Sequence, residues 1–529
     1  MLFTSYSFIA FLACLLLLYW VCPKKWQWGI LLLGSYVFYA FSGLENLIFI
    51  LTTTVSTFAV AVLMENNRSR EEAYIAERRD SLEKEERKAY KAREKKKRFR
   101  MLVCGLVLNF GILGVIKYTA FAVYNLNSII SLFGGQGFDI PSILLPMGIS
   151  FYIFQSMGYL IDVYRGRANT ERNFFRFALF VSFFPQLIQG PISRFSDLGA
   201  QLVTPHSFSR KELVFGLQRV LWGFFKKLVI ADRILVAMKS MLDSPEEFRG
   251  GYVVLLILLY SAEIYADFTG GIDVTIGVAQ MLGIKLAENF NRPFSSRSTK
   301  EYWNRWHITM GSWFTDYVFY PLSVCRPMMK LSKFSRKHFG NKIGKRIPVY
   351  LATIVTWFLT GLWHGAAWNF IVWGLLNCLV ILVSQELEPL YAGFRKRFPR
   401  LTSSSAYGSF MAIRTFLIMG LIRSLDCYRD VGLTFRLWGS MFTEMNWGSV
   451  LSNIGDLGLA LADYIILAVG IAVIFVVSKV SAKGSVREKL YPHPLFSWVL
   501  CGALFLCIIL FGAYSIGYDA TQFIYGENF

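Results

Sequence analysis

The sequence predicts an all-α, polytopic helical membrane protein, and three observations predict it. Hydrophobic residues make up 54% of the 529 positions and the mean hydropathy is +0.44, above what a soluble domain of this size carries. They come in long blocks, several of which reach the ~20 residues needed to cross a hydrocarbon core. The charged residues gather into a few segments between those blocks.

In chain order the apolar blocks are 3–22, 27–42, 46–64, 101–116, 142–161, 173–190, 213–230, 251–266, 348–363, 366–384, 410–423, 458–478 and 495–516. The longer ones are expected to span the bilayer. The shorter ones suit tilted, re-entrant or interfacial helices, which gives roughly a dozen transmembrane or re-entrant elements. The first block has no basic region before it, and "YWVCPKK" offers no small-residue cleavage site, so it is expected to be an uncleaved first helix.

The formal net charge is +20. In a soluble chain this would suggest nucleic acid, but Lys and Arg concentrate in the cytoplasmic loops of membrane proteins. Lys24 and Lys25 follow the first block and the dense charge of 65–100 follows the third. Both lie on one side if the N-terminus is outside, which is the expected orientation. The eight cysteines show no CxxC or zinc-like spacing and read as small core residues, with no disulfide frame and no metal.

The whole chain, 1–529, reads as a single membrane-embedded domain without internal repeats, punctuated by two polar segments. "ENNRSREEAYIAERRDSLEKEERKAYKAREKKKRFR", 65–100, lacks Pro and Gly and interleaves Glu with Lys and Arg. It is expected to form a cytosolic helical hairpin or long helix, with its basic end near anionic headgroups. The second, 286–347, is rich in aromatic, basic and hydroxyl residues. From 303 to 320, Trp303, Trp306, Met310, Phe314 and Tyr317 fall on one helical stripe, and Arg305, Ser312 and Asp316 lie opposite. This predicts an amphipathic interfacial helix with His307 on its apolar face.

Of the five histidines, His206, His338 and His493 sit in loop-like contexts. His307 and His364 sit on apolar faces, where an ionisable side chain is costly and is a functional candidate by default. The bland alternative is a neutral imidazole bonded to a neighbouring helix. The chain has no GxSxG, HExxH or GxxxxGK[ST] motif, and "HGAAWN" places Asn where an HxxxxD glycerolipid acyltransferase has Asp. What remains is histidine as a general base, which suits transfer of an activated acyl group to a hydroxyl. Polar residues within apolar blocks would line a tunnel for it. Glu263, Asp267 and Asp273 fall in "YSAEIYADFTGGIDVTIG", and Gln189 and Arg194 in the Pro-broken "FFPQLIQGPISRF". Helix packing or ion pairing is the alternative for each acidic residue.

Five stretches resemble one family: "LPMGISFYIFQSMGYLIDVYRG", "FFPQLIQGPISRF", "GFFKKLVIADRI", "YADFTGGIDVTIGVAQMLGIKLAENFNRPFSSRSTKEYWNRWHITMGSWFTDYVFYPL" and "FLTGLWHGAAWNFIVWG". They resemble the membrane-bound O-acyltransferase (MBOAT) superfamily, in the branch of bacterial alginate O-acetyltransferase membrane subunits. The final "GAYSIGYDATQFIYGENF" is similar to that branch's C-terminus, although "GENF" departs from its aromatic ending. The resemblance implies that His364 is the essential catalytic residue and His307 a second active-site residue. It also implies an acetyl-CoA or other acyl-thioester donor from the cytosol, no bound cofactor, and an extracytoplasmic glycan or a partner acetyltransferase as acceptor. The substrate channel is expected to draw on Trp363, Trp303, Trp306, Asn304, Arg305, Asp267, Gln189, Arg194, Asn291 and Arg292. Gly361 and Gly365 are expected to keep the His364 spot open by close backbone approach. D-alanyl transfer to teichoic acid from a carrier protein is the same-class alternative, and a transporter or flippase with a histidine proton relay is the other.

Overall fold

The protein is seen in a computed structural model that describes residues 3–444 and 446–513. The C-terminal stretch likened above to the family's ending lies, from 514 on, outside the described residues. Among those residues the structure is helical, with one isolated antiparallel bridge, Phe290 to Trp306, and no named strand.

Among the described residues, eight helices are long and apolar enough to cross a bilayer. They are α1 (Leu44–Glu77), α2 (Lys84–Leu132), α3 (Gly251–Met281), α4 (Arg346–His364), α5 (Trp368–Glu386), α6 (Ser405–Tyr428), α7 (Leu461–Ser481) and α8 (Pro494–Phe511). Other apolar blocks become shorter helices, among them Tyr6–Val21, Gln27–Ala40, Ile149–Arg165 and Phe174–Ser182. The chain is a multi-pass membrane protein.

The chain falls into two compact units, residues 1–216 with 278–286, and 217–277 with 287–529. In the first, Ile149–Arg165 is buried on nearly every face and packs against α1 and α2. Segment 65–100 continues α1 and begins α2 as an antiparallel pair turning at 78–83. More than solvation holds this arm together. Arg98 reaches Glu71 at 2.6 Å and Asn67 at 3.0 Å, Asn67 donates to Glu94 at 2.7 Å, and Tyr74 stacks on Tyr90 at 4.3 Å.

In the second unit α4 and α5 form a tight pair joined by residues 365–367, and α5 packs on α6. Lipid is as apolar as leucine, so membrane helices associate by close packing at small residues. A Cβ on Gly361 would lie 2.4 Å from the Phe370 carbonyl oxygen, and one on Gly374 would lie 3.1 Å from the Gly361 Cα. The close approach expected at Gly361 is therefore present, but Phe370 occupies it. The same residue's ring sits where a Cβ on Gly365 would go, 2.1 Å away. These glycines bring α4 and α5 together and do not open a space.

One expectation needs correcting. Residues 303–320 are not one helix: Thr299–Trp303 ends, the chain turns through 304–307, and a new helix begins at Ile308 and passes into a π-helical turn at Thr315–Phe319. The break comes from competition for backbone groups. The Arg305 carbonyl accepts from the Asn291 N–H at 2.9 Å and the Ile308 N–H donates to the Asn289 carbonyl at 3.0 Å, so neither group is left for a helical ladder. Trp306, Met310, Trp313, Phe314 and Tyr317 are nonetheless buried.

Candidate active site

His307 and His364 are both buried, at 0% and 7% exposure. His364 is the last residue of α4, and its ring packs edge-on against Trp363 at 4.9 Å and against Trp373 of α5 at 4.7 Å. The His307 ring lies 6.0 Å from Trp363 and 5.0 Å from Phe268 of α3. Both imidazoles thus pack on one indole. Two histidines 57 positions apart in sequence (364 − 307) reach it because α4 ends where the turn at 304–307 arrives.

His307 is held in an uncommon backbone conformation, φ 48° and ψ 52°. A non-glycine residue in this left-handed region costs about 1–3 kcal/mol and persists only where its surroundings fix it. Asn289 does so. Its side-chain Oδ1 accepts from the Thr309 N–H at 3.0 Å and from the Thr309 hydroxyl at 2.9 Å, and it faces His307 Nδ1 at 3.3 Å. A backbone N–H can only donate, so this amide atom is an acceptor, and the ring nitrogen facing it carries the proton. Burial pushes the His307 pKa down to about 3, so the ring is neutral and Nε2 holds the lone pair. The arrangement presents an acceptor nitrogen in a site walled by indole and phenyl rings.

Around the pair, Trp303 packs on Trp373 at 5.6 Å and donates its Nε1–H to Asn377 Oδ1 at 3.2 Å. Trp306 lies under the Arg423 guanidinium at 4.0 Å, and Arg423 also donates to the Tyr302 hydroxyl at 2.6 Å. Trp363 packs on both histidines, Trp306 directly precedes His307, and Trp303 reaches His364 through Trp373. Asn304 is exposed, and Arg305 pairs with Glu301 at 2.7 Å and Ser295 at 2.9 Å.

Asp267 precedes Phe268 on α3 but points elsewhere, because successive helical residues are about 100° apart. It pairs with Lys227 at 2.6 Å, and the same ammonium reaches Asp232 at 2.8 Å, all three almost wholly buried. Asn291 and Arg292 line a cavity of about 880 Å³ in the second unit. Gln189 and Arg194 belong to the first unit, Gln189 fully buried and Arg194 partly exposed ahead of the helix Phe195–Val203. Sequence reasoning missed Asn289, Trp373 and Lys227 as individual positions. All three sit inside quoted motifs, but nothing in apolar periodicity marks one Trp of a spanning block as a wall for His364.

Residues 169–425, a stretch holding both histidines, match the membrane-bound O-acyltransferase family. The chain is also 36% identical over 389 residues to a probable alginate O-acetylase, AlgI, of Azotobacter vinelandii, covering 73% of this chain and 69% of that one. The chain belongs to the membrane-bound O-acyltransferase family. The chain is also similar to a peptidoglycan O-acetyltransferase of Helicobacter pylori, 29% identical over 72% of this chain and 67% of that one. A teichoic acid D-alanyltransferase of Streptococcus thermophilus is 28% identical over 54% of this chain and 69% of that one. As a membrane-bound O-acyltransferase the protein is an acyltransferase, and the transporter reading falls away.

Proposed function

We propose that this acyltransferase moves an acetyl group from a cytosolic thioester, acetyl-CoA, to a hydroxyl of an extracytoplasmic glycan or of a partner acetyltransferase. The observation that carries the reading is the pair of buried histidines packed on Trp363 in a chain whose relatives are named as O-acetylating enzymes. His364 is the general base. The acceptor oxygen attacks the thioester carbonyl carbon while its proton passes to the imidazole. The tetrahedral intermediate then collapses, the C–S bond breaks, and the proton returns to the thiolate as the thiol leaves. The end of α4 supports this step, since a helix C-terminus carries partial negative charge beside a ring that becomes cationic. His307, neutral and held by Asn289, offers Nε2 to a donor hydrogen of the acceptor or of His364.

The enzyme is placed in the bacterial plasma membrane with its N-terminus outside and 65–100 in the cytosol. D-alanyl transfer is the second reading, supported by the teichoic acid relative. Purified protein in liposomes, offered radiolabelled acetyl-CoA on one side and glycan acceptors on the other, tests the proposal. Acetyl transfer supports it. Turnover only with a D-alanyl carrier protein would favour the second reading, and thioester left intact with every acceptor would contradict both.

A further inference from the structure

Neither histidine lines the cavity of about 880 Å³ in the second unit. Its floor is the π-helical turn Phe225–Ala231, and α7 and α8 each pack on that turn. A Cβ on Gly470 of α7 would lie 2.1 Å from Ile230 Cδ1, so the helix is seated tightly there. Both helices are otherwise turned outward, with only 11% of each spanning window buried.

The slot between them is amphipathic along its length. Ile466, Val469, Val473 and Val477 of α7 face Leu500 and Leu504 of α8 across it. From 466 to 477 the apolar wall runs about 17 Å at the helical rise of 1.5 Å per residue. That is close to half of the ~30 Å hydrocarbon core, the depth of one leaflet.

One end is polar on both walls. Ser478, Ser481, Ser485 and Arg487 close the α7 side. Gln218 donates to Ser497 near the start of α8 at 2.7 Å, which brings the neighbouring Arg219 to the same end. The opposite end is marked by Arg233, which donates to the Phe511 carbonyl at 2.7 Å. The lining carries four cations, Arg219, Lys226, Arg292 and Arg487, and two carboxylates, Asp273 and Glu288. Both carboxylates are already engaged. Arg219 holds Glu288 at 2.6 Å and Asp273 at 2.8 Å, and Lys226 holds Asp273 at 2.6 Å. Arg292 has no acidic partner among the described residues, so the lining keeps a positive excess.

We infer that this groove binds one anionic membrane phospholipid, with its phosphate against Arg292 and Arg487 and an acyl chain between α7 and α8. Basic pockets between membrane helices are recognition sites for anionic headgroups. A CoA thioester would share the phosphate chemistry but has no use for a leaflet-long apolar slot when its acyl group is two carbons long. The inference goes beyond the acyl-transfer reading and does not depend on it, so His364→Ala is expected to hold the lipid as the unaltered protein does.

The test is native mass spectrometry of the detergent-purified full chain, with phosphatidylglycerol, phosphatidylcholine or CoA added. Phosphatidylglycerol is expected to stay bound where phosphatidylcholine is lost, and Arg292→Glu with Arg487→Glu to weaken it about tenfold or more. Val473→Trp, which fills the slot and leaves the cations, is expected to displace the lipid too. It serves as a second variant where the charge reversals impair folding. Equal retention of both lipids, undiminished retention in Val473→Trp, or displacement of the lipid by CoA would each overturn the inference.

Discussion

Asn289 and His307 are both completely buried and meet through Oδ1 and Nδ1 at 3.3 Å, with the same oxygen anchored by Thr309. This contact sets which nitrogen of His307 carries the proton. Asn289→Asp keeps the acceptor but adds a negative charge beside the ring, which favours the imidazolium. The acid limb of the pH–activity profile is expected to move to higher pH in that variant, with activity near neutrality reduced. Asn289→Leu, which leaves Nδ1 without its acceptor, is expected to lower kcat up to about 100-fold at all pH values. An unshifted profile in Asn289→Asp would reduce the contact to packing.

Stability should depend on the same ring. Burial holds His307 to a pKa of about 3, below the ~6.5 of an unfolded histidine. The unfolded chain therefore takes up a proton between those values that the folded one refuses. The contribution is fully present above pH 6.5 and is lost as pH falls toward 3. Thermal melting in detergent is expected to show a steeper acid-side fall for the unaltered protein than for His307→Gln.

Lys227 is the cation shared by Asp232 and Asp267 in the buried interior of the second unit. Lys227→Met leaves two carboxylates there without it. Breaking a buried pair in this way costs about 3–5 kcal/mol. The variant is expected to purify poorly, with a melting temperature well below that of the unaltered protein. Adding Asp232→Asn and Asp267→Asn is expected to recover much of the loss, which a simple packing defect at Lys227 would not allow.

Gly361 tests the seat of His364. A side chain there would meet the Phe370 carbonyl oxygen at 2.4 Å, and backbone cannot swing aside as a side chain can. Gly361→Val is expected to force α4 from α5 at a cost of about 1–3 kcal/mol. Activity should fall more than stability, because the displaced helix end carries His364. Equal activity in the two proteins would show that His364 tolerates that shift.

Much of this was legible in the sequence. Block length alone marks the helical membrane fold, since hydropathy and span length are properties of composition. His307 and His364 stand out because ionisable groups on apolar faces are costly. Three features were not legible, each for a local reason. The turn at 304–307 depends on Asn289 and Asn291, from a separate segment, engaging the Ile308 N–H and the Arg305 carbonyl, which helical periodicity cannot register. Asp267 looked like a channel residue until Lys227 appeared beside it, because pairing across helices leaves no spacing signal. Gly361 and Gly365 predict open space by their lack of side chains, whereas the space belongs to Phe370, a residue their own motif supplies.

The central claim is that His364 takes the proton of the acceptor hydroxyl. It is tested most directly in proteoliposomes by single-turnover transfer from labelled acetyl-CoA, comparing the unaltered enzyme with His364→Ala and His364→Gln. Circular dichroism and melting temperature serve as checks that both variants fold. Both variants are expected to keep the fold and donor binding but to lose about 100-fold or more in the rate of acyl transfer. Transfer at the unaltered rate by a folded His364→Ala protein would contradict it.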